Sequence, residues 1–283
     1  MRRLSYELPL NCEIVCLGDT HIGSVLHYRK GLEKVIDYIA ADPSRYWLHM
    51  GDMIEAIRTD DPRFDAGTVS EPIPMRQAAD VISVFSRIAD RGIVMLDGNH
   101  ELKLHRYGSL GQYMADSLGI QYGTYSSVVS FLHDGSLLFR GFFWHGPASG
   151  SINSHAKDYE QRMANMRAAI KMRMKYKMGD CAVMMMGHIH KMLIVEPTPQ
   201  LYLRDAGRDG IKQDYLKGTQ HGKWIDPDLR WYAATGSFYR LYPGAGKNVS
   251  SYAEIAGYDP VELGCVVVTL QDGLIEGVRP FIV

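Results

Sequence analysis

Short apolar runs alternate with amphipathic stretches through the first hundred residues. Residues 12–17 (CEIVCL) read as a strand, and 29–41 as a helix with Leu32, Val35, Ile36 and Ile39 on one face. A strand at 45–50 (RYWLHM), a helix near 75–90 and a strand at 93–96 (IVML) follow. This β-α-β-α-β order predicts parallel strands with helices packed outside them. Sheets of that kind bind ligands just beyond the C-terminal ends of their strands.

The pattern then shifts toward strands. Residues 126–132 and 136–143 predict a hairpin turning at His133-Asp134-Gly135-Ser136. A long helix over 154–178 carries the stripe Tyr159, Met163, Met166, Ile170 and Met174. Strands are predicted at 181–186 (CAVMMM), 191–203, 231–236, 264–270 and 274–283. The fold expected is an α/β sandwich of two mixed β-sheets flanked by helices, as a single domain over 1–283. Residues 58–74, 204–230 and 240–262 lack periodicity and read as lid or substrate loops.

Composition narrows the class. A net charge of -1 over 283 residues gives no global argument for nucleic acid or a membrane surface. No apolar run is long enough to span a bilayer, and MRRLSYELPLN has no apolar segment suited to a signal peptide. Cys12, Cys16, Cys181 and Cys265 lie in apolar stretches without zinc-type pairing, so buried, reduced thiols in a cytoplasmic protein are expected.

Six short blocks carry the chemistry: GDTHIG at 18–23, GDM at 51–53, DGNHE at 97–101, WHG at 144–146, GHIH at 187–190 and TGS at 235–237. In an extended chain residues i and i+2 point to one side, so Asp19 with His21, and His188 with His190, are each expected to face one ion. The neighbouring glycines permit sharp turns and close approach. Carboxylate and imidazole donors suit manganese, iron, zinc or nickel better than calcium or magnesium.

The first five blocks, in this order, resemble the D-x-H, GD, GNH, H and GHxH pattern of the calcineurin-like metallophosphoesterase superfamily. The resemblance covers residues 18 to 190, and TGS resembles the glycine-serine strand that often follows. It implies two divalent transition-metal ions, manganese first, with Asp19, His21 and His190 on one. Asn99, His145 and His188 would hold the other, and Asp52 would bridge them through its two oxygens. With Asp19 and Asp52 alone and a bridging hydroxide as nucleophile, the cluster keeps about one positive unit for a phosphate anion. His100 would stabilise the transition state or protonate the leaving oxygen, with Asp97 or Glu101 as candidates to orient it. His49, His105, His133, His155 and His221 read as hydrogen-bonded core or surface histidines.

The substrate is less legible. Protein phosphatases of the superfamily extend the second block to GDxxDR, whereas this chain reads GDMIEA, and Arg58 is out of register. The superfamily's DNA-repair exonucleases share the compact layout. Arg167, Lys171 and Lys175, with Arg162, Arg173 and Lys177, are candidate phosphate contacts or a solvated helix face. Tyr232, Phe238, Tyr239, Tyr242, Tyr252, Trp224 and Trp231 are candidate base-stacking groups or core. The reading is a phosphodiesterase for nucleic acid or nucleotides. The alternatives are a phosphomonoesterase for phosphoprotein or metabolite, and a non-catalytic scaffold. No membrane partner is expected, and a homo-oligomer remains open.

Overall fold

Side chains of Ile14 and Cys16 join one hydrophobic cluster while Val15 and Leu17 join another, so a single strand separates two cores. That strand is central in a computed structural model describing residues 1–57, 59, 64, 66–148, 150–243 and 250–283, apart from the side chains of Tyr107 and Tyr252. The chain runs through β1 (Arg2–Glu7), β2 (Cys12–Leu17), α1 (Arg29–Ala40), β3 (Arg45–His49), α2 (Pro74–Phe85) and β4 (Gly92–Met95). Next come α3 (Asn99–Leu102), α4 (Leu110–Leu118), β5 (Gln121–Tyr122), β6 (Ser126–His133), β7 (Ser136–Trp144) and α5 (Tyr159–Met174). The remainder is β8 (Val183–Met186), β9 (Met192–Val195), β10 (Leu201–Asp205), β11 (Ile211–Tyr215), β12 (Trp231–Thr235), α6 (Tyr252–Ala256), β13 (Gly264–Gln271) and β14 (Leu274–Ile282).

Two six-stranded mixed sheets result, in the orders β14-β13-β2-β3-β4-β5 and β1-β6-β7-β8-β12-β9. In the first sheet β2 to β5 are parallel, and β13 and β14 return antiparallel at one edge. The sheets face each other across Cys16, Leu48, Met50, Val94, Phe131, Phe143, Val183 and Met185. The first sheet's outer face buries Leu32, Val35, Ile36 and Ile39 of α1 with Val81 and Phe85 of α2. The second sheet's outer face takes Met166, Ile170 and Met174 of α5. The expected α/β sandwich with flanking helices is therefore present.

Local expectations changed at several points. The helix predicted over 154–178 is shorter, because the Asp158 carboxylate caps it by accepting from Gln161 N–H at 2.8 Å. Tyr159 of its expected apolar stripe is exposed. The single strand predicted over 191–203 is two, β9 and β10, in different sheets. Pro197 and Pro199 lie between them, where proline has no N–H to extend a ladder. Residues 204–230, expected as irregular, include β11, which pairs with β10. The helix near 75–90 ends at Phe85 and continues as a 3-10 turn over Ser86–Arg91. All four cysteines are buried and free, and among the described residues no helix is long and apolar enough to cross a membrane.

Candidate metal centre

Each chemical block begins where a strand ends: Asp19 after β2, Asp52 after β3, Asn99 after β4, His145 after β7, and His188 and His190 after β8. The C-terminal ends of strands from both sheets thus aim their loops at one region. The GD and GN turns interlock there. A Cβ on Gly51 would lie 2.5 Å from Gly98 N, and one on Gly98 would lie 2.0 Å from Asp52 Oδ1. Only residues without a side chain allow this approach.

The side chains converge for a reason other than the extended geometry expected from i, i+2 spacing. Asp19, His21, Asp52, His188 and His190 all have positive φ, between 48° and 70°. L-residues rarely adopt that region, and such strain gathers at functional sites. His188 and His190 also do not face the same point. His190 groups with Asp19 and His21, whereas His188 groups with Asp52 and His145, the ligand atoms of each group lying within 4.8 Å of one another.

In the first group, His21 Nε2 is 3.2 Å from His190 Nε2, and Asp19 Oδ1 is 3.4 Å from His190 Nε2. Asp19 is fully buried and its Oδ1 has no hydrogen-bond partner, while Oδ2 accepts from His188 N–H at 2.9 Å. A buried carboxylate oxygen left without a donor among imidazole nitrogens suits a cation. In the second group, His145 Nδ1–H donates to Met50 O at 2.8 Å, leaving Nε2 as the inward atom. That Nε2 lies 3.1 Å from Asn99 Oδ1 and 3.3 Å from Asp52 Oδ2.

Asp52 connects the groups through one oxygen. Oδ2 faces His145 Nε2 at 3.3 Å and His21 Nε2 at 3.8 Å, while Oδ1 accepts from His100 N–H at 2.9 Å. Oδ2 is thus the Asp52 oxygen placed between the two groups, while Oδ1 is taken by a backbone N–H. All seven sequence-predicted ligands fall in this region, and the donor set fits two divalent ions.

The electrostatics ask for positive charge. Burial opposes protonation of His21 and His145, yet Glu55 beside the first and Asp52 beside the second push each up to about 9. Burial raises Asp52 as well, but His145, His100 and His21 hold it well below the usual carboxylate range. Burial brings His188 down to about 4, leaving it a neutral donor.

Neither Asp97 nor Glu101 orients His100. Its Nδ1–H donates to the Glu55 main-chain carbonyl. Asp97 instead accepts from Tyr122 OH and pairs with His105 Nε2 at 2.8 Å. Glu101 is fully buried and accepts from Asp52, Ile54 and Gly98 N–H groups at 3.0, 3.1 and 2.7 Å. Burial with Asp52 and Asp97 nearby pushes it up to about 7. It fastens the GD loop to the GN loop.

Glu55 is the residue that sequence reasoning missed. Its carboxylate accepts from His21 Nδ1–H at 2.9 Å. The available signal was its place in GDMIEA, where GDxxDR carries an aspartate. It adds a third buried carboxylate beside Asp19 and Asp52. Ser237 of TGS also contributes, donating from Oγ to Asp19 O at 3.0 Å.

Several candidate nucleic-acid contacts have partners within the protein. Lys171 pairs with Asp228, Arg162 with Asp259 at 3.5 Å, and Lys177 lies over the Trp144 ring. Arg173 donates to Ser151 O at 3.1 Å. Tyr232 and Phe238 are core, and Tyr239 packs against His21 and His190 with ring centroids 4.8 and 5.5 Å away. Trp224 and Tyr242 are exposed. Arg58 and the Tyr252 side chain lie outside the described residues. His49 is a core histidine, fully buried, accepting from Gly51 N–H at 3.2 Å.

No family model matches the chain, and no curated protein matches it in sequence. Among solved structures it is similar to the NAD nucleotidase NadN of Haemophilus influenzae, at 12% identity and TM-score 0.41, over 96% of this chain and 50% of that one. It is also similar to the calcineurin-like phosphoesterase YfkN of Bacillus subtilis, at 14% identity and TM-score 0.33, over 96% and 90%. The chain spans half the length of the nucleotidase chain it matches. Function is therefore read from the site residues themselves.

Proposed function

We propose that this protein is a metal-dependent phosphoester hydrolase of the calcineurin-like metallophosphoesterase type, acting on phosphodiesters of nucleic acid or nucleotides. The observation that carries this reading is Asp52 Oδ2, which faces His21 of one ligand group and His145 of the other. Asp19, His21 and His190 would hold one ion, and Asn99, His145 and His188 the second, with manganese the first metal to test. Such a pair supplies Lewis acidity toward a phosphate group and an activated water.

The chain's own groups do the rest. Nδ1–H of His100 is committed to the Glu55 carbonyl, so Nε2 faces the leaving oxygen and delivers a proton there from the doubly protonated ring. Burial of the ligands excludes bulk water and strengthens every charge interaction around the phosphate.

Two features support a diester over a monoester. Ala56, itself buried, stands where the phosphatase pattern has arginine, and Glu55 adds a third buried carboxylate. A monoanionic diester needs less positive charge than a dianionic monoester. Four free, buried cysteines support a reducing, cytoplasmic setting.

The test is Mn²⁺-dependent hydrolysis of bis(p-nitrophenyl) phosphate against p-nitrophenyl phosphate. Single-stranded and duplex DNA, RNA, cyclic nucleotides and a phosphopeptide follow under the same conditions. Preference for a diester is expected. Preference for the monoester and the phosphopeptide would discard the substrate assignment.

A further inference from the structure

Glu55 touches two histidines of the site through different parts of itself. Its carboxylate accepts from His21 Nδ1–H at 2.9 Å, and its main-chain carbonyl accepts from His100 Nδ1–H. A carbonyl only accepts, and so does an ionised carboxylate, so both rings keep a proton on Nδ1 and turn Nε2 inward. The inward atoms then converge on one oxygen, with His21 Nε2 at 3.8 Å and His100 Nε2 at 4.0 Å from Asp52 Oδ2. The two rings meet edge to face with centroids 4.7 Å apart, so neither turns without displacing the other.

The segment is itself held firmly. Glu55 N–H donates to Ile22 O at 3.0 Å, tying it to the loop that carries Asp19 and His21. Next to it, Ala56 N–H donates to the buried Gln77 side chain at 2.9 Å. The carboxylate is almost fully buried and has His21 as its side-chain partner. A buried acid placed against the outer nitrogen of a ligand imidazole fixes the tautomer and strengthens the inner nitrogen as a donor.

We infer that Glu55 is a positioning residue for the centre: its carboxylate sets His21 as an Nε2 ligand, and its main-chain carbonyl independently sets His100 for proton delivery. This rests on the metal-centre reading. The division of labour makes a selective forecast. Removing the carboxylate weakens the ion held by Asp19, His21 and His190. It leaves the ion held by Asn99, His145 and His188, and the orientation of His100, in place.

The experiment is a Mn²⁺ titration of the full chain by isothermal titration calorimetry, comparing wild type, Glu55→Gln and Glu55→Asp. Gln keeps the shape and removes the charge. Asp keeps the charge and withdraws it by one methylene, so it serves if the Gln variant does not fold. The expected result is two ions in wild type, with one affinity about 10- to 100-fold lower in the variants and the other changed less than about twofold. At limiting Mn²⁺, diester hydrolysis falls with the occupancy of the weakened ion. Two ions bound by both variants as tightly as by wild type would overturn the role of Glu55 and leave the metal centre standing. Equal weakening of both ions would also overturn it, since Glu55 would then act through the fold at large. A wild type that binds no Mn²⁺ would overturn the metal-centre reading instead.

Discussion

His100 N–H donates to Asp52 Oδ1 at 2.9 Å, so the hydrogen bond that leaves Asp52 Oδ2 facing both side-chain groups also fixes the backbone of His100. Asp52 and His100 are thereby parts of one junction between the GD and GN loops. Glu101 closes it from below through three backbone N–H groups.

Asp52→Asn replaces the bridging carboxylate by a neutral amide. Mn²⁺-dependent hydrolysis of bis(p-nitrophenyl) phosphate is expected to fall by at least about a hundredfold, with binding of both ions weakened together. Full activity in this variant would remove Asp52 from the centre.

His100→Ala separates chemistry from metal binding. A loss of about 10² to 10⁴ in kcat is expected, with two Mn²⁺ still bound per chain. Unchanged kcat at unchanged metal content would show that another group delivers the proton.

Gly98→Ala tests the interlocked turns. The added methyl falls 2.0 Å from Asp52 Oδ1, where neither loop can yield without moving a ligand. Thermal denaturation is expected to show a destabilisation of about 1–3 kcal/mol, typical of overpacking. Mn²⁺ affinity should fall as well, and a variant with wild-type melting and affinity would contradict the packing described.

These turns show how far the sequence carries. The chemical blocks were legible because Asp19, Asp52, Asn99 and the histidines sit beside glycines just after apolar runs. The sheet strands β2, β3 and β4 were legible for the same reason. Glu55 was not, since one glutamate after GDM carries no periodic signal and its role arises only when His21 is packed against it. Strand β1 was missed because it is an exposed edge of mixed polarity that pairs with β6, more than a hundred residues away. The positive φ values of Asp19, His21 and Asp52 likewise follow from loop packing, and no composition rule announces them.

A pH dependence arises far from the centre, at Glu13. Burial raises its carboxyl, but hydrogen bonds from Tyr38 and Arg279 and the charges around it hold it below the usual range. Arg45 Nε is 3.1 Å and Arg279 Nη2 2.7 Å from the carboxylate. A carboxyl lowered in the folded state contributes stability above its unfolded pKa, about 4.3, and loses it as pH falls through the folded value. Partial exposure of both arginines limits the contribution to about 1 kcal/mol. Urea denaturation of Glu13→Gln should show that deficit at pH 7 and converge with wild type as pH falls through the folded value. A deficit that persists at low pH would assign it to packing alone.

A pair of ions held on either side of Asp52 would be magnetically coupled, which electron paramagnetic resonance of the Mn²⁺-loaded protein detects. Two Mn²⁺ per chain are expected, with the spectrum of a spin-coupled pair that collapses to one uncoupled ion in His190→Ala. A single uncoupled Mn²⁺ per wild-type chain, with diester hydrolysis intact, would contradict the paired centre.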